Sequence, residues 1–221
     1  MLLMEYVVGR PAGLASATIA SSPASMPWWI EETGAQRARL APETIEVLER
    51  HEAAGTWDDP EYTAAVAIFY ARHLCRVVPM PEFVQRSFAK LDRNPQVYRT
   101  MNGPTEFHVV GTLKDWEILS RLGSVDPDLP VLLTSGRHDE ATPVQVAAIA
   151  ERIPQAEWVI FEESGHLSHV EEPDRYMAVL GDFLARADAA ASGAASPRLQ
   201  RATFAERSAG AGRLTGRPGS P

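Results

Sequence analysis

Two loops of this 221-residue chain carry side chains that could act on one another: Gly136-Arg137-His138-Asp139-Glu140 and, beginning 25 positions after Asp139, Ser164-Gly165-His166. A carboxylate paired with an imidazole fixes the ring tautomer and stabilises the imidazolium. The imidazole can then take a proton from a nucleophile and return it to a leaving group. Asp139 alone would be equally well read as a turn or helix cap. His166 has His138 and His169 as neighbours, and a metal on His166 and His169 is disfavoured because no third ligand follows at a usual spacing. What the pair lacks is a nucleophile.

The flanking sequence says how the two loops are delivered. Pro130-Val131-Leu132-Leu133 reads as a short buried strand that Gly136 ends, which places Asp139 in the loop at its carboxyl edge. Glu157 to Phe161 reads as a second strand, and Glu162-Glu163-Ser164-Gly165 places His166 in the next loop at the same edge. Open α/β sheets keep their ligands at that edge. Met1 to Val8 reads as a core helix stopped by Arg10-Pro11-Ala12-Gly13, and Leu14 to Ser22 as a buried parallel strand. From Met26 to Met101 the pattern is helical. Pro42 opens one helix that ends near Gly55, Asp59-Pro60-Glu61 opens another with Val66, Phe69 and Tyr70 on one face, and a third runs from Pro81 to Leu91. Leu119 to Leu122 is a short amphipathic return to the sheet. Pro143 to Ile153, with Thr142 as N-cap, is the crossover helix, and Pro173 starts a last helix with Tyr176, Val179, Leu180, Phe183 and Leu184 on one face.

The order strand, Asp loop, helix, strand, His loop, helix resembles the last third of an α/β-hydrolase. Gly136 to Pro143, Asn102-Gly103-Pro104-Thr105-Glu106-Phe107, Gly111-Thr112-Leu113-Lys114-Asp115-Trp116 and Glu163-Ser164-Gly165-His166 together resemble the proline iminopeptidase branch over roughly residues 1 to 186. The resemblance implies a helical cap between sheet strands, with residues 1–25 and 106–186 in the hydrolase domain and 26–105 in the cap; the Ala, Ser, Gly, Arg and Pro of 187–221 resemble nothing in the family, offer little to bury and are expected to form a disordered tail. It implies Asp139 and His166 as two members of a Ser, Asp, His triad. It also implies that Glu106 and Glu140 hold a free substrate ammonium by charge-assisted hydrogen bonds. The alternative for Glu140 is a solvated acid favoured by a helix start. Trp28, Trp29 and Trp57 are candidates for an apolar slot taking a prolyl ring, or simply core aromatics, whereas Trp116 and Trp158 read as structural.

The family's nucleophile sits in a Gly-x-Ser-x-Gly turn, and no such motif occurs in the 221 residues, nor does a His-Gly-Gly loop for an oxyanion hole. Met1 to Val8 resembles the helix that leaves that turn, which puts the expected Ser about four residues upstream of Met1. The fold class expected is therefore α/β, an α/β-hydrolase truncated before its nucleophile elbow. An internal start and a decayed or split gene both account for that. The parent activity implied is release of N-terminal proline, or another residue, from short peptides or amino-acid amides, with no metal or organic cofactor. The alternatives are another α/β-hydrolase chemistry, such as ester or epoxide hydrolysis, and a non-catalytic remnant or binding protein.

Composition sets the remaining bounds. Apolar residues make up 45% of the chain, enough for one sizeable core. The net charge of −8 divides into −11 for residues 1–186 and +3 for the tail, where five Arg face Asp188 and Glu206; an acidic body argues against a nucleic-acid partner. Cys75 is alone, so no internal disulfide forms, and no apolar run approaches membrane length. A cytoplasmic location is expected. The partner expected for the sheet edge is a separately encoded N-terminal half or a second copy of the chain.

Overall fold

The computed structural model describes residues 1–193. Three strands, β1 (Ala17–Ala20), β2 (Val131–Gly136) and β3 (Glu157–Phe161), form a parallel sheet in the order β1-β2-β3. Ala17 pairs with Val131 and Leu132 with Glu157. The central strand β2 is buried along its whole length, as a parallel strand covered on both faces must be, and this explains its unbroken apolar start. Among the described residues β1 is paired only on its β2 side. Strand β2 runs on through Gly136 rather than stopping before it, because Arg137 N–H still reaches the carbonyl of Phe161 on β3.

Helix α1 (Leu2–Val7) buries Met4 and Val7 against the sheet. Five helices separate β1 from β2: α2 (Met26–Arg37), α3 (Pro42–Ala54), α4 (Pro60–His73), α5 (Glu82–Arg93) and α6 (Gln96–Met101). Their starts follow from local chemistry. Ser25 accepts from the Trp28 N–H and Asp59 from the Glu61 N–H, and Pro42 and Pro60 occupy first positions where no N–H is needed. Gly55 stops α3 in the left-handed conformation at φ 66°. Helices α3 and α4 share their own small core, in which Leu48 and Phe69 are fully buried.

The chain returns through a 3₁₀ turn at Leu119–Ser124, where the sequence predicts a short amphipathic segment. The elements α7 (Pro143–Arg152), α8 (Ser168–Glu171) and α9 (Pro173–Ala191) complete the order. The main core lies between the sheet and α1, α7 and the 3₁₀ turn, around Met4, Ile118, Leu133 and Ile149. Two local expectations differ. Thr142 does not cap α7; its hydroxyl donates instead to Glu32 of α2 at 2.9 Å. Leu184 is 41% exposed, since α9 buries the narrower stripe of Phe183 and Ala187. Residues 187–191 belong to α9, and the expectation of disorder from 194 onward lies outside the described residues. No helix among the described residues is long and apolar enough to cross a membrane.

Candidate active site

Asp139 and His166 meet at the carboxyl edge of the sheet. The turn after β2 closes on the Asp139 carboxylate: Oδ2 accepts from Gly136 N–H at 3.3 Å and Oδ1 from Ala141 N–H at 2.8 Å. The Gln36 amide of α2 donates to the Asp139 carbonyl at 2.8 Å. With the side chain so held, Oδ1 stands 2.8 Å from His166 Nδ1. A carboxylate only accepts, so Nδ1 carries the hydrogen and Nε2 is left for a substrate.

The loop before His166 is held from several sides. The Ser164 hydroxyl donates to Glu172 at 2.7 Å, and Gly165 N–H donates to Glu171 at 2.9 Å. The His138 N–H donates to the Ser164 carbonyl at 3.0 Å, joining the two loops directly. His138 is thus a backbone partner of the His loop rather than the imidazole facing Asp139. His169 packs against Tyr176, with ring centroids 5.8 Å apart.

Glu140 is fully buried, and neither carboxylate oxygen has a hydrogen-bond partner; Oε1 lies 3.8 Å from His166 Nδ1. It is therefore not a solvated acid at a helix start. Burial pushes its carboxyl well above the usual range, and the charges of Glu106 and Asp139 add to this against the opposing charge of His166. For His166, burial works against the imidazolium, but the charge and hydrogen bond of Asp139, together with the charges of Glu140 and Glu106, outweigh it and raise the pKa to about 10.

Glu106 approaches from the segment after α6. Its carboxylate accepts from the Tyr98 hydroxyl at 2.7 Å, its carbonyl accepts from Trp29 Nε1 at 2.7 Å, and its N–H donates to the Tyr70 hydroxyl at 3.3 Å. Trp29 also stands edge-on to His166, with centroids 6.2 Å apart, and so spans the distance between Glu106 and the Asp–His pair. Burial and the Glu106 charge push both tyrosines far above the ordinary phenol range, so both stay protonated, Tyr98 donating to the Glu106 carboxylate and Tyr70 accepting from its N–H. Of the three tryptophans singled out in the sequence, Trp29 is at this site, whereas Trp57 packs against the α3–α4 core. Tyr70, Tyr98 and Gln36 were not visible as site residues in the sequence. Tyr98 stands eight positions before Glu106 across an irregular turn, a spacing with no periodic signal.

Elsewhere, His51, Asp59 and Glu61 bring ligand atoms within 4.8 Å of one another. Arg50 already supplies a cation to Glu61 at 2.6 Å, and Asp59 is engaged as the α4 cap, so this cluster fits an ion-pair network better than a metal. A cavity of about 320 Å³ lies between Arg10, Leu14, Asp126, Leu129 and Ala187, and contains none of the residues above.

No family model matches the chain. The chain is 33% identical over 183 residues to the proline iminopeptidase of Saccharolobus solfataricus, covering 83% of this chain and 58% of that protein. It is 33% identical to the proline iminopeptidase of Heyndrickxia coagulans, again over 83% of this chain and 62% of the relative. Among solved structures, VinJ superposes with a TM-score of 0.80 at 42% identity, over 83% of this chain and 61% of VinJ. The proline iminopeptidase of Mycobacterium smegmatis superposes with a TM-score of 0.75 at 47% identity, over 85% of this chain and 62% of its own. The chain thus spans less than two thirds of the length of these relatives.

Proposed function

Starting from a chain that matches the proline iminopeptidase branch of the α/β-hydrolases in sequence and in fold over 58% to 62% of those relatives' length, we propose that its sheet edge is the acid–base and amine-binding half of a serine aminopeptidase site. The substrates are short peptides or amino-acid amides with a free N-terminal proline or similar residue. The observation that carries this reading is Glu140, a fully buried carboxylate with two unpartnered oxygens beside His166. Such a group is costly unless a cation joins it, and a substrate ammonium between Glu140 and Glu106 is that cation.

The chemistry follows from the pair. A seryl hydroxyl, carried on a Gly-x-Ser-x-Gly segment outside these 221 residues, attacks the carbonyl carbon while His166 Nε2 takes its proton and Asp139 holds the Nδ1 hydrogen. His166 returns the proton to the leaving amine, and water repeats the sequence on the acyl enzyme. The neighbouring carboxylates raise the proton affinity of His166 in the free protein. An ammonium bound between them offsets their field, so substrate arrival frees the imidazole to act as a base.

A second reading, a non-catalytic remnant or binding protein, is favoured by the lack of Gly-x-Ser-x-Gly in the chain. In that case the unpaired side of β1 would take a separately encoded N-terminal half or a second copy. A cytoplasmic location belongs to either reading. Mass measurement of the endogenous polypeptide, with a proline arylamide assay and serine-directed phosphonate labelling of the same sample, separates them. The aminopeptidase reading predicts a labelled, active species. An inactive, unlabelled product beginning at Met1 would leave the binding reading.

A further inference from the structure

We propose that His73, the last residue of α4 in the helical insertion, is a positioning residue for the Asp139–His166 pair, one residue tying together the two loops that deliver them. Its imidazole Nδ1 lies 2.9 Å from the carbonyl of His138, next to Asp139, and its own carbonyl accepts from the His166 N–H at 2.9 Å. A carbonyl can only accept, so Nδ1 of His73 carries a hydrogen and the bond has a fixed direction. The ring packs on Phe69 of the same helix, with centroids 4.8 Å apart, which sets its orientation.

The contact is close on the main-chain side. A β-carbon on Gly165 would stand 2.7 Å from the His73 carbonyl oxygen, so glycine is what lets the His loop lie against the end of α4. The residues after His73 extend the seam: Leu167 N–H donates to the Leu74 carbonyl at 3.0 Å, Arg76 Nε donates to the Glu163 carbonyl at 3.2 Å, and Glu171 accepts from both Arg76 N–H and Gly165 N–H. These further ties reach the His loop alone. His73 holds both loops, and a reacting constellation has to be held to within about 0.5 Å. Burial, helped by the charges of Arg72, His138 and Arg39, lowers the His73 pKa against the opposing pull of its bond to the His138 carbonyl, in keeping with a neutral ring that donates through Nδ1.

This inference rests on the reading of Asp139 and His166 as a catalytic pair, and the test separates the two. It follows the low-field Nδ1 proton of His166 and the titration of its ring by NMR in the purified chain, with Asp139→Asn as the assignment control. His73→Phe keeps a ring against Phe69 but loses the donor, whereas His73→Asn places an amide N–H where Nδ1 stood. We expect His73→Phe to broaden or abolish the low-field signal and to lower the His166 midpoint by about one pH unit, and His73→Asn to restore both. Should His73→Phe be unfolded by circular dichroism, His73→Leu, which also lacks the donor, is read the same way. A folded donor-less variant with a wild-type signal and midpoint would overturn the role of His73. Lack of any Asp139-dependent signal in the wild-type chain would overturn the pair itself, and this inference with it.

Discussion

Gly136 at the end of β2 and Gly165 in the loop before His166 meet backbone to backbone: a β-carbon on Gly136 would overlap the carbonyl oxygens of Gly165 and Ser164. The bare α-carbon of Gly136 allows the Asp and His loops to touch, so that side chains 27 positions apart can share a hydrogen bond of 2.8 Å, while that of Gly165 faces the His73 carbonyl.

Adding one methyl group at that contact should be costly, because its neighbours are main-chain atoms that cannot rotate away. Gly136→Ala is expected to lose about 3 kcal/mol or to fail to fold. Gly181→Ala, inside α9 with open space around it, should gain up to about 1 kcal/mol from helix propensity. Urea unfolding of the two variants checks this contrast. Equal effects would mean that the loops can separate without penalty.

Stability should fall as pH rises from neutral. His166, raised from 6.5 to about 10, contributes stability that is fully present below its ordinary value and lost as pH climbs through its folded one. Glu140, raised from 4.5, must give up a bound proton as pH increases, so burying it costs progressively more above the ordinary value. Both slopes have the same sign. Glu140→Gln should therefore raise Tm more at about pH 8 than at about pH 5. A gain independent of pH would count against an unpartnered buried acid.

The helical insertion has its own partly buried ion pair. Arg37 of α2 reaches Glu52 of α3 at 2.7 Å, with side chains 15% and 9% exposed, and Tyr62 and His108 face the same carboxylate. Arg37→Ala leaves Glu52 without its strong partner and is expected to destabilise by about 3 kcal/mol. Replacing both residues with apolar ones of similar volume should recover most of that loss. Denaturant midpoints of the single and double variants provide the check, and additive losses would show that the pair is not coupled.

On its own the 221-residue chain should not turn over a proline arylamide, since removing a triad serine costs on the order of 10⁶ in kcat. The measurement is product release by chromatographically homogeneous protein. Turnover that persists through purification and disappears in His166→Ala would contradict this expectation and require a nucleophile within the chain.

The sheet and its loops were legible because their signals are local. The buried strand β2 and the half-buried β3 read as apolar runs, Pro42, Pro60, Pro143 and Pro173 mark helix starts, and Gly136 and Gly165 mark places where backbones meet. Strand order brought the Asp and His loops to one edge, and the family resemblance picked His166 over His138 and His169. The grip on Glu106 could not be read this way. Trp29, Tyr70 and Tyr98 come from α2, α4 and α6, and their convergence depends on how the insertion packs, which no short-range pattern encodes. Thr142 shows the same limit. Its position and the Pro after it satisfy every local rule for an N-cap, yet a tertiary partner, Glu32, takes the hydroxyl. Glu140 was legible as an acid beside the Asp loop, whereas its complete burial was not, since a residue two positions before a helix N-cap is usually wet.

The most direct test of the central claim, that Glu106 and Glu140 recognise a free amine beside the Asp139–His166 pair, is a calorimetric titration of the purified chain with prolinamide and with N-acetylprolinamide. The account predicts binding of prolinamide alone, weakened about tenfold or more by Glu140→Gln and by Glu106→Gln. Equal binding of both ligands, or binding unchanged in the two glutamine variants, would contradict it.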